Sequence, residues 1–157
     1  MSDPQSLSQL FALDSLLDTE EIAIRDTVRR FADEKIRPHI GEWFEAAALP
    51  VRELAEGLGE LGVLGMHLEG YGCAGMSATA YGLACLELEA VDSGIRSLVS
   101  VQGSLAMYAI HHYGSEDQKQ EWLPPHGRGH GDRLLRTDRA RLRLQPRRHA
   151  HGRQAGR

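Results

Sequence analysis

The chain has 157 residues, 41% of them hydrophobic, and a net charge of −4, which suits one globular domain with a real core. That charge conceals a split: Met1–Pro125 carry 8 basic and 20 acidic residues, whereas His126–Arg157 carry 10 arginines against Asp132 and Asp138. Cys73 and Cys85 lack metal spacing and exclude a disulfide scaffold, no apolar run approaches the ~18 residues of a membrane span, and the N-terminus has no targeting pattern, so a cytoplasmic location is expected.

Residues 1–17 are polar with a few leucines and read as a loosely held arm. Asp18 then caps a helix, with Glu21 three residues on completing a capping box. Ile24, Val28, Phe31, Ala32 and Ile36 recur at helical spacing and draw one apolar face. Pro38 interrupts or kinks that helix, and Trp43 and Phe44 continue an apolar surface. Pro50 suits the first turn of the next helix, whose stripe is Leu54, Leu58 and Leu61, with Gly59 and Gly62 weakening its end.

Val63 to Met76 reads as a glycine-dense connection. Ser77 or Thr79 caps the following helix, whose core face holds Tyr81, Ala84, Cys85 and Leu88. Asp92-Ser93-Gly94 breaks the chain before Ile95–His112, a helix apolar on most sides and therefore expected to be buried centrally. Ser115-Glu116-Asp117-Gln118 is a second capping box, opening a short helix expected to end at Leu123-Pro124-Pro125. No alternating run reads as a strand. The fold class is all-α, an irregular bundle of about six helices over residues 18–125. Residues 126–157, rich in Arg, Gly and His with little apolar content, read as a disordered basic tail.

Few short motifs survive their context. Gly70-Tyr71-Gly72-Cys73-Ala74-Gly75 matches GxGxxG, with Asp92 suitably placed beyond, but a dinucleotide fingerprint needs a preceding strand, and here a helix precedes. His111 and His112, adjacent on a helix, cannot share a metal, and His67 is remote in sequence. No nucleophile elbow or orienting carboxylate accompanies the Ser and His residues. No catalytic residue and no metal site is assigned.

Arg96 stands apart. It is the only arginine between Arg52 and Arg128, and it starts an otherwise apolar helix. A guanidinium there needs an acidic partner or an anionic ligand. Its planar fork suits a carboxylate, and a helix start adds positive dipole and free amides. A structural ion pair with Glu89 or Glu87 is the alternative, and on physical grounds alone the more economical one.

The stretch from Gly70 to Pro124, with VDSGIRS, VSVQ and SL followed by YGSEDQKQEWLP, resembles the N-terminal helical domain of the acyl-CoA dehydrogenases, and within that family the glutaryl-CoA dehydrogenases. The likeness runs from about Leu16 to Pro125, and DTEEIAIRDTVRRFADEKIRP fits the family's first helix. The resemblance implies an enzyme in which FAD accepts a hydride from the β-carbon of an acyl-CoA while a glutamate removes the α-proton. For glutaryl-CoA it implies decarboxylation to crotonyl-CoA, with electrons passing to an electron-transfer flavoprotein and the intact enzyme a homo-oligomer. It places Arg96 and Ser97 at the distal carboxylate of the acyl group, with Glu89 in support. Family members continue with a β-rich domain and a helical bundle bearing the base, so this chain alone is expected to be inactive and not to retain FAD.

The tail departs from the family pattern. Synonymous codons chosen for Gly131–Arg141 and read one nucleotide later give Ala-Ile-Gly-Cys-Phe-Gly-Leu-Thr-Glu-Pro-Asp, which resembles the family's flavin-contacting segment. A one-nucleotide frameshift near Pro125-His126 is the expected cause. The competing function is a non-enzymatic helical interaction module whose arginine-rich tail binds nucleic acid by neutralising phosphates. That tail has no Phe, Trp or Tyr for base stacking and no reading motif, so a nucleic-acid partner is not favoured.

Overall fold

Capping residues set where the helices begin. In the computed structural model, which describes residues 12–130, the Asp18 carboxylate accepts the Glu21 amide at 2.8 Å and the Glu21 side chain reaches back to the Asp18 amide at 3.2 Å. Helix α1 spans Thr19–Phe31 and runs on through a π-helical turn, Ala32–Ile36. Pro38 follows, and α2 is the short Ile40–Glu45. Pro50 stands at the N-cap of α3, Val51–Glu60, and Ser77 rather than Thr79 caps α4, Ala78–Glu89, accepting the Ala80 amide at 3.0 Å.

Asp92 caps α5, Ser93–Ser100, which continues through a second π-helical stretch, Val101–Met107, into α6, Tyr108–Tyr113. The expected Ser115/Gln118 box opens α7, Glu116–Gly127. Counted as continuous rods these are six helices, and no strand occurs among the described residues. The chain is an all-α bundle.

Val28, Ala32 and Ile36 of the first rod pack with Leu54, Leu58, Ala84, Leu88, Ile95, Val99, Met107 and Leu123 in one core. Helix α1 lies most extensively against α4. The connection after α3 is also core: Val63, Leu64, Met66 and Leu68 are at most 3% exposed. Leu64, Met66 and Leu68 alternate as a strand would, yet the segment is a series of turns, so their burial follows from tertiary packing rather than from a regular element. No helix among the described residues is long and apolar enough to cross a membrane.

Three expectations change. The Ser93–Tyr113 rod is not central: Ile95, Val99, Gly103 and Met107 are buried, but Val101, Leu105, Tyr108 and Tyr113 face solvent. The described bundle covers only one side of a helix that is apolar on most sides. Second, α7 runs through Pro124 and Pro125 to Gly127. The two prolines remove two amides from the ladder, but buried Leu123 and His126 anchor the turn, and His126 Nδ1–H donates to the Trp122 carbonyl at 2.5 Å.

The end of α7 is a Schellman closure. Gly129 adopts φ +75°, the Gly129 amide bonds the His126 carbonyl at 3.1 Å, and the His130 amide bonds the Pro125 carbonyl at 2.9 Å. This turn sits so closely on α3 that a Cβ at Gly59 would strike the Arg128 carbonyl. Gly59 is thus a contact point as well as a weak helix former, and residues 126–130 belong to the packed fold.

Third, the arm is tied down where it is described. Leu13–Leu16 form a 3₁₀ turn, and Asp14 accepts both terminal nitrogens of Arg25, which is itself buried. Residues 1–11 and 131–157, with the disorder and the shifted reading frame expected for the tail, lie outside the described residues.

Candidate functional site

Helices α4 and α5 are joined by the three residues Ala90–Asp92 and run antiparallel. Side chains spaced by four line the seam, Tyr81, Cys85 and Glu89 on α4 and Arg96, Ser100 and Ser104 on the opposing rod, and two pairs meet across it, Tyr81 with Ser104 and Glu89 with Arg96. The Tyr81 and Ser104 hydroxyls bond at 2.9 Å. At the other end, Arg96 Nε donates to Glu89 Oε2 at 2.5 Å, and Arg96 Nη1 donates to Ser100 Oγ at 3.2 Å. The Ser100 hydroxyl also lies 3.2 Å from the Arg96 carbonyl and 3.3 Å from that of Ser97. Arg96 is fixed on two sides, and no hydrogen bond to its Nη2 is made among the described residues.

Of the two acidic partners open to Arg96, the structure selects Glu89. Glu87 is turned inward and takes Arg29 of α1 in a bidentate pair, Nε to Oε2 at 2.9 Å and Nη2 to Oε1 at 2.7 Å. Sequence reading missed this contact because its members lie 58 positions apart. Ser97 is half-buried beside Arg96. Of the three expected site residues, Arg96 and Glu89 meet, and Ser97 joins the cluster through its carbonyl, 3.3 Å from the Ser100 hydroxyl. The start of α5 contributes less than expected, because the Asp92 carboxylate already accepts the Ile95 amide at 2.9 Å. A capping carboxylate both uses a free amide and repels an anion. An anion arriving here would meet the guanidinium rather than a free helix N-terminus.

Among the described residues the seam holds no poised base. Glu89 hydrogen-bonds Arg96 and holds the guanidinium further toward its charged form. Burial pushes the Cys85 and Tyr81 groups up and keeps them protonated. Burial, and then the charge of His111, push the His67 imidazole down; its Nδ1 is buried without a partner among the described residues, and its ring lies 4.7 Å from that of Tyr81. His111 itself donates from Nε2 to the Glu69 carbonyl at 2.9 Å. No group of three His, Cys, Asp or Glu side chains fit to hold a metal occurs among the described residues.

The Gly70–Gly75 segment is a loop between helices, and it does not fit a dinucleotide phosphate. Two of its amides turn inward: Cys73 N–H bonds the Gly70 carbonyl at 2.9 Å and Gly75 N–H the Leu68 carbonyl at 3.0 Å. Tyr71 points away and donates to the Glu116 carboxylate at 2.9 Å. Two clefts, of about 510 Å³ beside Trp43 and Leu54 and about 270 Å³ beside Ile24 and Met76, lie apart from Arg96.

The acyl-CoA dehydrogenase N-terminal domain family matches residues 18–130. A crystal structure of glutaryl-CoA dehydrogenase from Mycobacterium smegmatis is 66% identical, with a TM-score of 0.76 over 78% of this chain and 32% of that one. A second glutaryl-CoA dehydrogenase structure from M. smegmatis, in complex with FADH2, is 60% identical with a TM-score of 0.75, over 77% of this chain and 31% of that one. The (2S)-methylsuccinyl-CoA dehydrogenase of Cereibacter sphaeroides is 37% identical over 109 residues, 69% of this chain and 20% of its own length. The chain thus spans a third or less of the length of these relatives.

Proposed function

The chain belongs to the acyl-CoA dehydrogenase family, and on that premise we propose that it is the N-terminal, substrate-recognising part of an FAD-dependent dehydrogenase for dicarboxylic acyl-CoA, of the glutaryl-CoA type. The observation that carries this is Arg96: a guanidinium held on two sides by Glu89 and Ser100, with its side chain 35% exposed and an outer edge left open to an anion. A planar fork presented edge-on accepts a carboxylate in two parallel hydrogen bonds. Ser97 beside it supplies a further hydroxyl donor.

In an intact family member FAD takes up the hydride, and an electron-transfer flavoprotein then receives the electrons. The described residues do not offer FAD a phosphate cradle at the Gly70–Gly75 loop, where the Cys73 and Gly75 amides bond internally. This chain's own contribution is to bind and orient the acyl group at its far carboxylate, not to move a proton. The M. smegmatis neighbours named as glutaryl-CoA dehydrogenases support the substrate class. Catalysis, the flavin and any homo-oligomer of the family type belong on this reading to the complete enzyme.

The test has two arms. Purified protein incubated with FAD and a redox dye is expected to retain no stoichiometric flavin and to leave glutaryl-CoA unoxidised. Calorimetry is expected to show glutaryl-CoA binding that is lost in Arg96→Gln. Flavin retention with turnover would overturn the predicted inactivity, and unchanged binding by the variant would overturn the substrate reading.

A further inference from the structure

Helix α3 touches the last described turn of the chain on one side and an aromatic cleft on another. A Cβ at Gly59 would strike the Arg128 carbonyl, and one at Gly129 the Ala55 carbonyl, so the chain passes His130 pressed against α3. Leu54 and Gly57, on a different side of the same helix, line the cleft of about 510 Å³ with Phe31 and Trp43. A Cβ at Gly57 would meet the Phe31 ring at 2.9 Å, and Trp43 stacks on His39 with ring centroids 5.6 Å apart. Glu53 and Glu60, one stripe of α3, give the cleft two carboxylates against the single ammonium of Lys35. By helical position, Glu56 falls between this acidic rim and the departing turn.

Aromatic faces beside carboxylates suit a guanidinium, which stacks on a ring and bonds an acid through its edge. Neither Glu53 nor Glu60 has a side-chain hydrogen bond or ion pair among the described residues. The chain itself carries the complementary charge: residues 131–157, outside the described residues, hold nine arginines against Asp132 and Asp138. Among them Arg139, Arg141 and Arg143 alternate with Ala140, Leu142 and Leu144. That sequence offers apolar side chains to the cleft floor and cations to its rim. Residues 131–138 can span up to ~26 Å, more than twice the ~10–12 Å width of a helix, so the segment reaches the cleft from His130 around α3.

We infer that the segment Arg139–Leu144 docks within its own chain in the Phe31/Trp43 cleft, with its guanidinium groups on Glu53 and Glu60. The inference is independent of the substrate assigned to Arg96. In full-length Cys73→Ser/Cys85→Ser protein, a nitroxide on Gln145→Cys should broaden the ¹⁵N–H signals of the Trp43 indole and the Gly57 amide. The Thr19 amide, at the opposite end of α1, should broaden far less. Glu53→Gln/Glu60→Gln should lower the docked population about two- to fivefold for each carboxylate removed, the worth of an exposed ion pair, and added salt should act in the same direction. Nitroxide-bearing ¹⁴N protein mixed with ¹⁵N protein free of nitroxide should show no broadening. With both cysteines intact and no label, salt should move the Trp43 indole signal toward its position in Glu53→Gln/Glu60→Gln. A cleft no more broadened than Thr19, broadening that survives loss of both carboxylates, or an indole signal that salt leaves in place would overturn the inference. Broadening in the mixed sample would overturn it too, by seating the segment of a second copy in the cleft.

Discussion

Two arginine–glutamate pairs lie two positions apart on α4 and do different work. In Arg29–Glu87 the glutamate is 9% exposed and gripped by both prongs of a guanidinium on α1. In Arg96–Glu89 both partners remain open, at 35% and 48%, and one bond joins them. A carboxylate removed from water is costly unless it is paired, so Glu87 commits Arg29 to holding α1 on α4. An exposed pair contributes little to stability, which leaves Arg96 free to exchange part of its environment for a ligand. The same two residue types thus supply a fastening and, on the proposed reading, a receptor, and burial separates the two.

The largest expected effect tests the fastening. Arg29→Ala leaves the Glu87 carboxylate without its partner and should cost about 2–3 kcal/mol, less than a fully buried pair because Arg29 is half-exposed. Urea denaturation reads it directly. Adding Glu87→Gln should restore part of the loss, and strictly additive losses would show that the two residues are not coupled.

A pH series separates the regions next. His67, beside Tyr81 of the seam, has its pKa lowered by burial and by His111, so the folded state binds fewer protons than the unfolded one. Its contribution to stability is complete above the unfolded value of about 6.5 and is lost as pH falls from there through the lowered folded value. His67→Gln should flatten the melting temperature across that window. The Arg29 guanidinium, held in its charged form foremost by the Glu87 hydrogen bond, should contribute equally throughout it.

The smallest stability effect is expected at the receptor. Arg96→Gln and Ser100→Ala should both leave the melting temperature unchanged. Calorimetry should nevertheless show glutaryl-CoA affinity lost in the first and reduced roughly three- to tenfold in the second, the value of one hydrogen bond that orients the guanidinium. A marked fall in stability in Arg96→Gln would place this pair with Arg29–Glu87 and erase the distinction.

Local chemistry was legible in the sequence and distant contacts were not. Asp18/Glu21 and Ser115/Gln118 each form their box because capping depends on residues three apart. The faces through Val28, Ala32 and Ile36 and through Leu54 and Leu58 follow from helical period. Arg96 was visible as a lone cation on an apolar helix, with Glu89 seven positions away as one of two partners. The Arg29–Glu87 pair left no local trace, and the burial of Leu64, Met66 and Leu68, which alternate like a strand but lie in turns, was not readable as core. The passage of α7 through Pro124-Pro125 runs against local propensity, because the burial of Leu123 and His126 outweighs two missing amide bonds. The outward side of Ser93–Tyr113 was misjudged for the opposite reason: apolar composition says that a face is to be covered, but not by which surface.

The account turns on Arg96 receiving a substrate carboxylate while Arg29 does not. Protein labelled with ¹⁵N at arginine Nε resolves the two guanidinium signals, each assigned by its Arg→Lys variant, and can be titrated with glutaryl-CoA and with butyryl-CoA, which lacks the far carboxylate. The expected result is a saturable shift of the Arg96 signal with glutaryl-CoA alone and a stationary Arg29 signal with both. An Arg96 signal that ignores glutaryl-CoA, or that moves equally with butyryl-CoA, would contradict the central claim.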